Sequence, residues 1–158
     1  MSKRFPMTPE GQKALKKELQ HLKGVERPKV IEEVEVARAH GDLSENAEYH
    51  AAKEKYGFIE GRINQISEKL AFAEVIDPTR LSGERVVFGA TVTLEDHDSG
   101  KELRYKIVGE DEADVKKGKI NYQSPIARGL IGKEIGDEVV IKTPKGKKSC
   151  EILEVEFI

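Results

Sequence analysis

Ala52, Tyr56, Ile59, Ile63, Ile66, Leu70 and Ala73 recur at alternating steps of four and three. That is a heptad seam held for about three heptads. The positions between them are mostly Lys, Glu, Arg, Gln and Asn, as a solvated helix flank requires. Upstream, Leu15, Leu19 and Leu22 keep the step, and so do Val30, Val34 and Ala37. Between these two sets the spacing slips around Gly24 and Pro28. Proline removes one helical hydrogen bond and clashes with the preceding turn, so the pattern predicts a kink there. Each arm has about 30 residues, which at about 1.5 Å per residue makes a rod of roughly 40–45 Å. The connection is short, so the two arms run antiparallel.

The ends of this helical half carry signals of their own. Thr8 can cap the first helix, and Pro9 suits its first position. Asp77-Pro78 is expected to end the second. From Thr79 the pattern changes. Val86-Val87-Phe88, Ala90 to Leu94, Leu103 to Val108, Val139-Val140-Ile141 and Cys150 to Ile158 read as strands. Asp98-Ser99-Gly100 and Pro144-Lys145-Gly146 read as hairpin turns. One short helix interrupts them, with Ser124 as cap, Pro125 at the first position and Gly132 as stop. The expected fold class is α+β: a coiled-coil hairpin over residues 1–78, then a β-rich domain over residues 79–158.

Composition narrows the function. Charged residues make up 35% of the 158, and the net charge is −2. The charge is spread evenly, with 13 basic and 14 acidic residues through Pro78, then 14 and 15 after it. This balance argues against a protein that binds bare nucleic acid by charge alone. The single Cys150 excludes an internal disulfide and offers no zinc motif. His21, His40, His50 and His97 are too scattered to form a metal set. No apolar secretory core or membrane span is present, so a cytoplasmic location is expected, without a membrane partner.

The bend between the arms is Gly41-Asp42-Leu43-Ser44-Glu45-Asn46-Ala47-Glu48-Tyr49. Asp42 and Glu45 lie three apart. They fit a capping box, with Asp42 as N-cap and Glu45 as third helical residue. They also fit a metal-binding pair on an exposed tip. Mg²⁺ takes an octahedral oxygen shell, usually with one or two carboxylates plus water or phosphate. Two exposed acids would hold it weakly, and an exposed tip does not raise a carboxylate pKa. A partner must therefore complete any such site, so the pair points to a protein acting in trans within another enzyme's cleft. The two readings are compatible, since a cap also fixes the carboxylates in place.

The segment Ala37-Arg38-Ala39-His40-Gly41-Asp42-Leu43-Ser44-Glu45-Asn46-Ala47-Glu48-Tyr49 resembles the tip of the bacterial transcript cleavage factors of the Gre family. Ser124-Pro125-Ile126-Ala127-Arg128-Gly129-Leu130-Ile131-Gly132-Lys133 resembles that family's second signature. Phe88-Gly89-Ala90-Thr91-Val92 and Gly109-Glu110-Asp111-Glu112-Ala113-Asp114 also match. The resemblance spans nearly the whole chain, in the same order. Leu43 and the His40-Gly41 pair fit one branch of the family better than the other. The resemblance implies an FKBP-like second domain that grips the rim of the RNA polymerase secondary channel. It also implies a coiled coil that enters the channel. Asp42 and Glu45 are the positions that match the two tip acids. In the family these help hold the second Mg²⁺ and the attacking water, so that the polymerase hydrolyses its own backtracked transcript and releases short 3′ RNA fragments. The chain itself is then not an enzyme, and it binds no cofactor stably alone.

Other residues carry weaker signals. Arg38 and Lys53 flank the tip, one on each arm. A solvated helix face explains them, and the resemblance adds a contact to the nascent RNA 3′ end. Tyr49 is expected to pack against the opposite arm, although base stacking is conceivable. The run Glu110 to Asp114 reads as a solvated loop. In the second helical signature, Ile126, Leu130 and Ile131 can face inward. Ser124 and Pro125, with Ile126 beside them, are the expected polymerase-docking residues. Two other function classes compete. One is a coiled-coil adaptor whose tip acids are only a cap. The other is a peptidyl-prolyl isomerase or chaperone, which needs an aromatic-lined pocket that a chain without Trp supplies poorly. Channel binders that inhibit instead of cleaving have altered tips, and the Asp42/Glu45 pair here is intact.

Overall fold

The computed structural model describes residues 3–41 and 45–158. It is α+β and divides into two compact units. One comprises residues 13–72 with Lys3, the other residues 4–12 and 73–158.

The first unit is a helical hairpin. Helix α1 (Pro9–His21), most of which lies in this unit, passes through a π-helical turn at Leu22–Glu26 into helix α2 (Arg27–Arg38). Helix α3 (Ala47–Ala71) is the returning arm. The slip in the seam now has a cause. Stepping by four and three from Leu22 leads to positions 26 and 29, yet the next buried apolar residue is Val30, Val25 being exposed. One extra residue must be absorbed, and the π turn absorbs it. The Arg27 N–H donates to Leu22 O, five residues back. The expected proline kink is therefore a π turn, and Pro28 sits harmlessly in the first turn of α2.

With the register restored, Val30, Ile59 and Ile63 form a buried cluster, with Leu19, Leu22 and Val34 packed around it. Each such burial stabilises by about 1.5–3 kcal/mol. Ion pairs lace the flanks: Arg62 to Glu18 (2.7 Å), Arg27 to Glu60 (3.3 Å) and Lys55 to Glu33 (3.5 Å). As partly exposed pairs they contribute a few tenths of a kcal/mol each, up to about 1.

The second unit is built on a five-stranded sheet of β3 (Thr91–Asp96), β4 (Glu102–Val108), β5 (Lys119–Asn121), β6 (Glu138–Thr143) and β7 (Gly146–Glu156). Their order is β5-β4-β3-β7-β6. All neighbours are antiparallel except β4 and β5. A bulge at Thr93/Leu94 shifts the register against β7, which strengthens the local twist. Val92, Leu94, Ile107, Ile152 and Cys150 fill the core with Ala127 and Leu130 of helix α4 (Pro125–Leu130). Burial pushes the Cys150 thiol pKa upward.

Three expectations change here. Val86-Val87-Phe88 is a loop instead of a strand. Val86 is fully buried and its N–H bonds to Lys133 O (2.8 Å), so the apolar run serves the core without joining the sheet. Ala73, at the end of the heptad seam by spacing, instead lies in strand β2 (Ala73–Val75), which pairs in parallel with β1 (Phe5–Met7). That pairing lies within the second unit, which takes in residues 4–12 along with 73–158. Finally, Glu112 is no bystander in a solvated loop. Its carboxylate accepts from the Thr8 N–H (3.1 Å) and from the Thr8 hydroxyl, while that hydroxyl caps α1 by accepting from Gly11 N–H (3.1 Å).

Candidate functional site

The bend is built by Gly41 and Asn46. Helix α2 ends at Arg38, and His40 N–H closes a tighter turn on Ala37 O (3.2 Å). Gly41 then takes φ +106°, a conformation that a Cβ would strain. On the far side Asn46 is the N-cap of α3. Its Oδ1 accepts from the Tyr49 N–H (3.0 Å), and its Nδ2 donates to Ala37 O (2.6 Å) on the opposite arm. One amide thus caps one helix and ties it to the other.

This corrects the capping-box expectation. Helix α3 starts at Ala47, so Glu45 precedes the cap and is not the third helical residue. Glu45 is exposed. The acid in the first turn is Glu48, where the helix dipole favours it. Asp42 lies outside the described residues, together with Leu43 and Ser44. Nothing in the sequence separated Asn46 from Asp42 as cap, because both residue types cap well. The deciding feature is the amide's second hydrogen bond, which a carboxylate cannot make.

Behind the bend the structure brings together three side chains. Arg38 and Lys53 are exposed, and Tyr49 between them is only 8% exposed. The Lys53 ammonium sits 5.2 Å from the centroid of the Tyr49 ring. His50 tilts against the same ring at 5.6 Å. Hydrogen bonding from Arg38 holds the Tyr49 phenol below its ordinary pKa of 10.0, against the opposing effect of desolvation, and Lys53 adds to the shift through charge and a hydrogen bond. Tyr49 does pack inward, as its spacing predicts. Arg38 and Lys53, read from the sequence as two flanking charges, both act on Tyr49 across the two arms. They border a groove of about 310 Å³ that is also lined by Ile31, Val34, Glu35 and Tyr56.

In the second unit Ser124 caps α4, its Oγ accepting from Ala127 N–H (3.2 Å). Pro125 is exposed at the first helical position, and Ile126 is half-buried against the core. Ile131, expected to face inward, is instead 39% exposed just past the helix. Among the described residues no three His, Cys, Asp or Glu side chains come together in a way that could hold a metal ion. No helix among them is long and apolar enough to cross a membrane.

Comparison with known proteins shows the family. Residues 5–75 match the family model described as transcription elongation factor, N-terminal, and residues 81–157 match that of transcription elongation factor, GreA/GreB, C-term. The chain is 61% identical to transcription elongation factor GreA of Anaeromyxobacter sp. (strain K), over 98% of this chain and 93% of that one. It is 60% identical to GreA of Phenylobacterium zucineum, over 98% and 99%. Among solved structures, GreA factor homolog 1 of Thermus thermophilus aligns at 27% identity and TM-score 0.45, over 98% of this chain and 99% of that one. Leu43 and the His40-Gly41 pair agree with the GreA name of the 60% relatives. The chain belongs to the GreA/GreB family of transcription elongation factors.

Proposed function

We propose that this chain enters the secondary channel of RNA polymerase, hairpin tip first, and stimulates the polymerase's own hydrolysis of backtracked transcripts. The observation that carries this reading is Glu45. It is exposed on the bend just outside α3, and the capping work is done by Asn46 instead. Among the described residues this carboxylate has no capping task, and it is available to a partner. Glu45 and Asp42 would present oxygens to the Mg²⁺ of the polymerase active centre and orient the attacking water there. The ion supplies charge neutralisation and an activated nucleophile. The tip alone offers too few ligands for a tight site, so the chain acts in trans and leaves the chemistry to the polymerase.

Arg38 and Lys53 would face the extruded RNA 3′ end. Docking to the polymerase would use the exposed start of α4: Ser124, Pro125 and the accessible part of Ile126. The test is to add the protein to a stalled, backtracked complex and look for short 3′ RNA fragments. They should appear only when both proteins are present. Fragments made by this chain with Mg²⁺ alone, or no fragments with polymerase, would contradict the reading.

A further inference from the structure

We propose that Glu112 is a positioning residue for transcript cleavage: its carboxylate seats the first turn of α1 in the second unit, and that seat sets how the rod presents its tip. This deepens the reading above and rests on it for the reaction itself.

Helix α1 does not complete its own cap. The first N–H groups of a helix lack partners within it. A capping box answers this with two residues of the same helix. The N-cap side chain accepts from the third helical N–H, and an acid at that third position accepts from the N-cap N–H. Here Thr8 does the first task, its hydroxyl oxygen accepting from Gly11 N–H (3.1 Å). Gly11 is the third helical residue and has no side chain for the second. Glu112, 104 positions from Thr8, does it instead, accepting from Thr8 N–H (3.1 Å) and from the Thr8 hydroxyl. The same carboxylate accepts from Gly109 N–H (3.4 Å), at the start of its own short turn, Glu110–Glu112.

Two glycines make the room. A Cβ on Gly11 would overlap the Glu112 carboxyl group, so Glu112 fills the place that a side chain at that helical position would take. A Cβ on Gly109 would stand 2.8 Å from Pro6 O. Glycine is a poor helix former, and Gly11 is buried with only space to offer. Thr8 is 2% exposed, so its N–H and hydroxyl would be left unsatisfied if Glu112 moved away. An ionised carboxylate only accepts, and all three partners here donate. Thr8, Gly11, Gly109 and Glu112 all lie in the second unit, while α1 runs on through His21 into the hairpin. Fixing the first turn of a continuous helix fixes the start of the rod. A displacement of about 1 Å at a reacting centre can cost about a hundredfold in rate. A loose seat would therefore act on cleavage without Glu112 touching the reactants.

The test uses Gly11→Ala and Glu112→Ala in the full chain, added to backtracked polymerase complexes. Gly11→Ala introduces the Cβ that displaces Glu112, in a residue that favours the helix. Each variant should lower the cleavage rate at saturating factor about tenfold and leave the concentration for half-maximal cleavage unchanged. Together they should lower the rate no further than either alone, because both open the same seat. Thr8→Ser keeps the hydroxyl and should cleave as the wild type does. In NMR spectra of the free chain, Gly11→Ala should shift the amide signal of Gly109. A merely structural role predicts the opposite split: a partly unfolded factor is a smaller active concentration and still reaches the full rate at saturation. That split, additive losses, a wild-type rate in Gly11→Ala, or an unmoved Gly109 amide would overturn the seat. If the wild-type chain provoked no cleavage at all, the proposed function would fail, and the Gly109 amide would still decide whether Glu112 holds the seat.

Discussion

Asn46 shows how much can hang on one atom. Its oxygen caps α3 and its nitrogen holds Ala37 O across the bend. Asn46→Asp keeps the cap, because Asp is as good an N-cap as Asn. It loses the donor and sets a carboxylate oxygen against a carbonyl oxygen. Stability should fall by about 1–2 kcal/mol with helix content unchanged, measured by urea unfolding followed by circular dichroism. A variant as stable as wild type would mean the cross-arm bond contributes nothing. Asp96 gives a second residue-scale expectation. Its buried carboxylate accepts from Asp98 N–H (2.9 Å), interacts with Ser99 and pairs with Lys148 (3.6 Å), and these hold it below the ordinary 3.8. A depressed carboxylate binds its proton more weakly folded than unfolded. Its contribution is therefore present above about pH 4 and is lost as pH falls through the folded value. Asp96→Asn should be less stable at neutral pH and show a flatter loss of stability in acid. An acid limb as steep as that of wild type would exclude Asp96 as a source of that loss.

At the scale of elements, the heptad seam was legible because its period is long and its flanks are charged. The one-residue slip between Leu22 and Val30 was legible too. Its form was not, since a kink and a π turn both answer an extra residue and differ only in which carbonyl Arg27 bonds. Deleting Gly24 tests the π turn. An α-helix would then run through, with Leu15 and Leu19 back in step with Val30 and Val34. Because Gly24 is exposed, and glycine costs a helix up to about 1 kcal/mol, the deletion should leave the hairpin folded and its α-helical signal undiminished. Loss of the fold would show that the turn is required to place α1. The exposed start of α4 makes a separate expectation. Pro125→Asp should weaken competition for polymerase while leaving circular dichroism unchanged, since Ser124 still caps and an acid suits the first turn. Unchanged competition would move the docking surface elsewhere. Strands β1, β2 and β5 escaped the sequence for a common reason. Each has three residues, too few to show a period of two, and β1 and β2 meet only through pairing across some 70 residues of chain.

For the whole molecule, the order of helical hairpin and β unit followed from where the periodicity changes. The place of residues 4–12 in the second unit did not, because their partners in the β1–β2 pair and the Thr8–Glu112 hydrogen bonds lie far along the chain, Thr8 and Glu112 being 104 positions apart. In the same way the tip acids were legible as a pair, but only the helix start at Ala47 freed Glu45 from capping. Arg38 and Lys53 were legible as charges, but not their approach to Tyr49, which needs both arms in place. The central claim is that this tip completes a metal site belonging to its partner. The most direct measurement is the Mg²⁺ dependence of transcript cleavage in backtracked RNA polymerase complexes. It would be made with no factor, with the wild-type chain, and with a variant carrying Asp42→Asn and Glu45→Gln. The wild-type chain should lower the Mg²⁺ concentration for half-maximal cleavage and raise the rate. The variant should bind the polymerase as tightly and change neither. A variant that lowers the Mg²⁺ requirement as the wild type does would contradict the account.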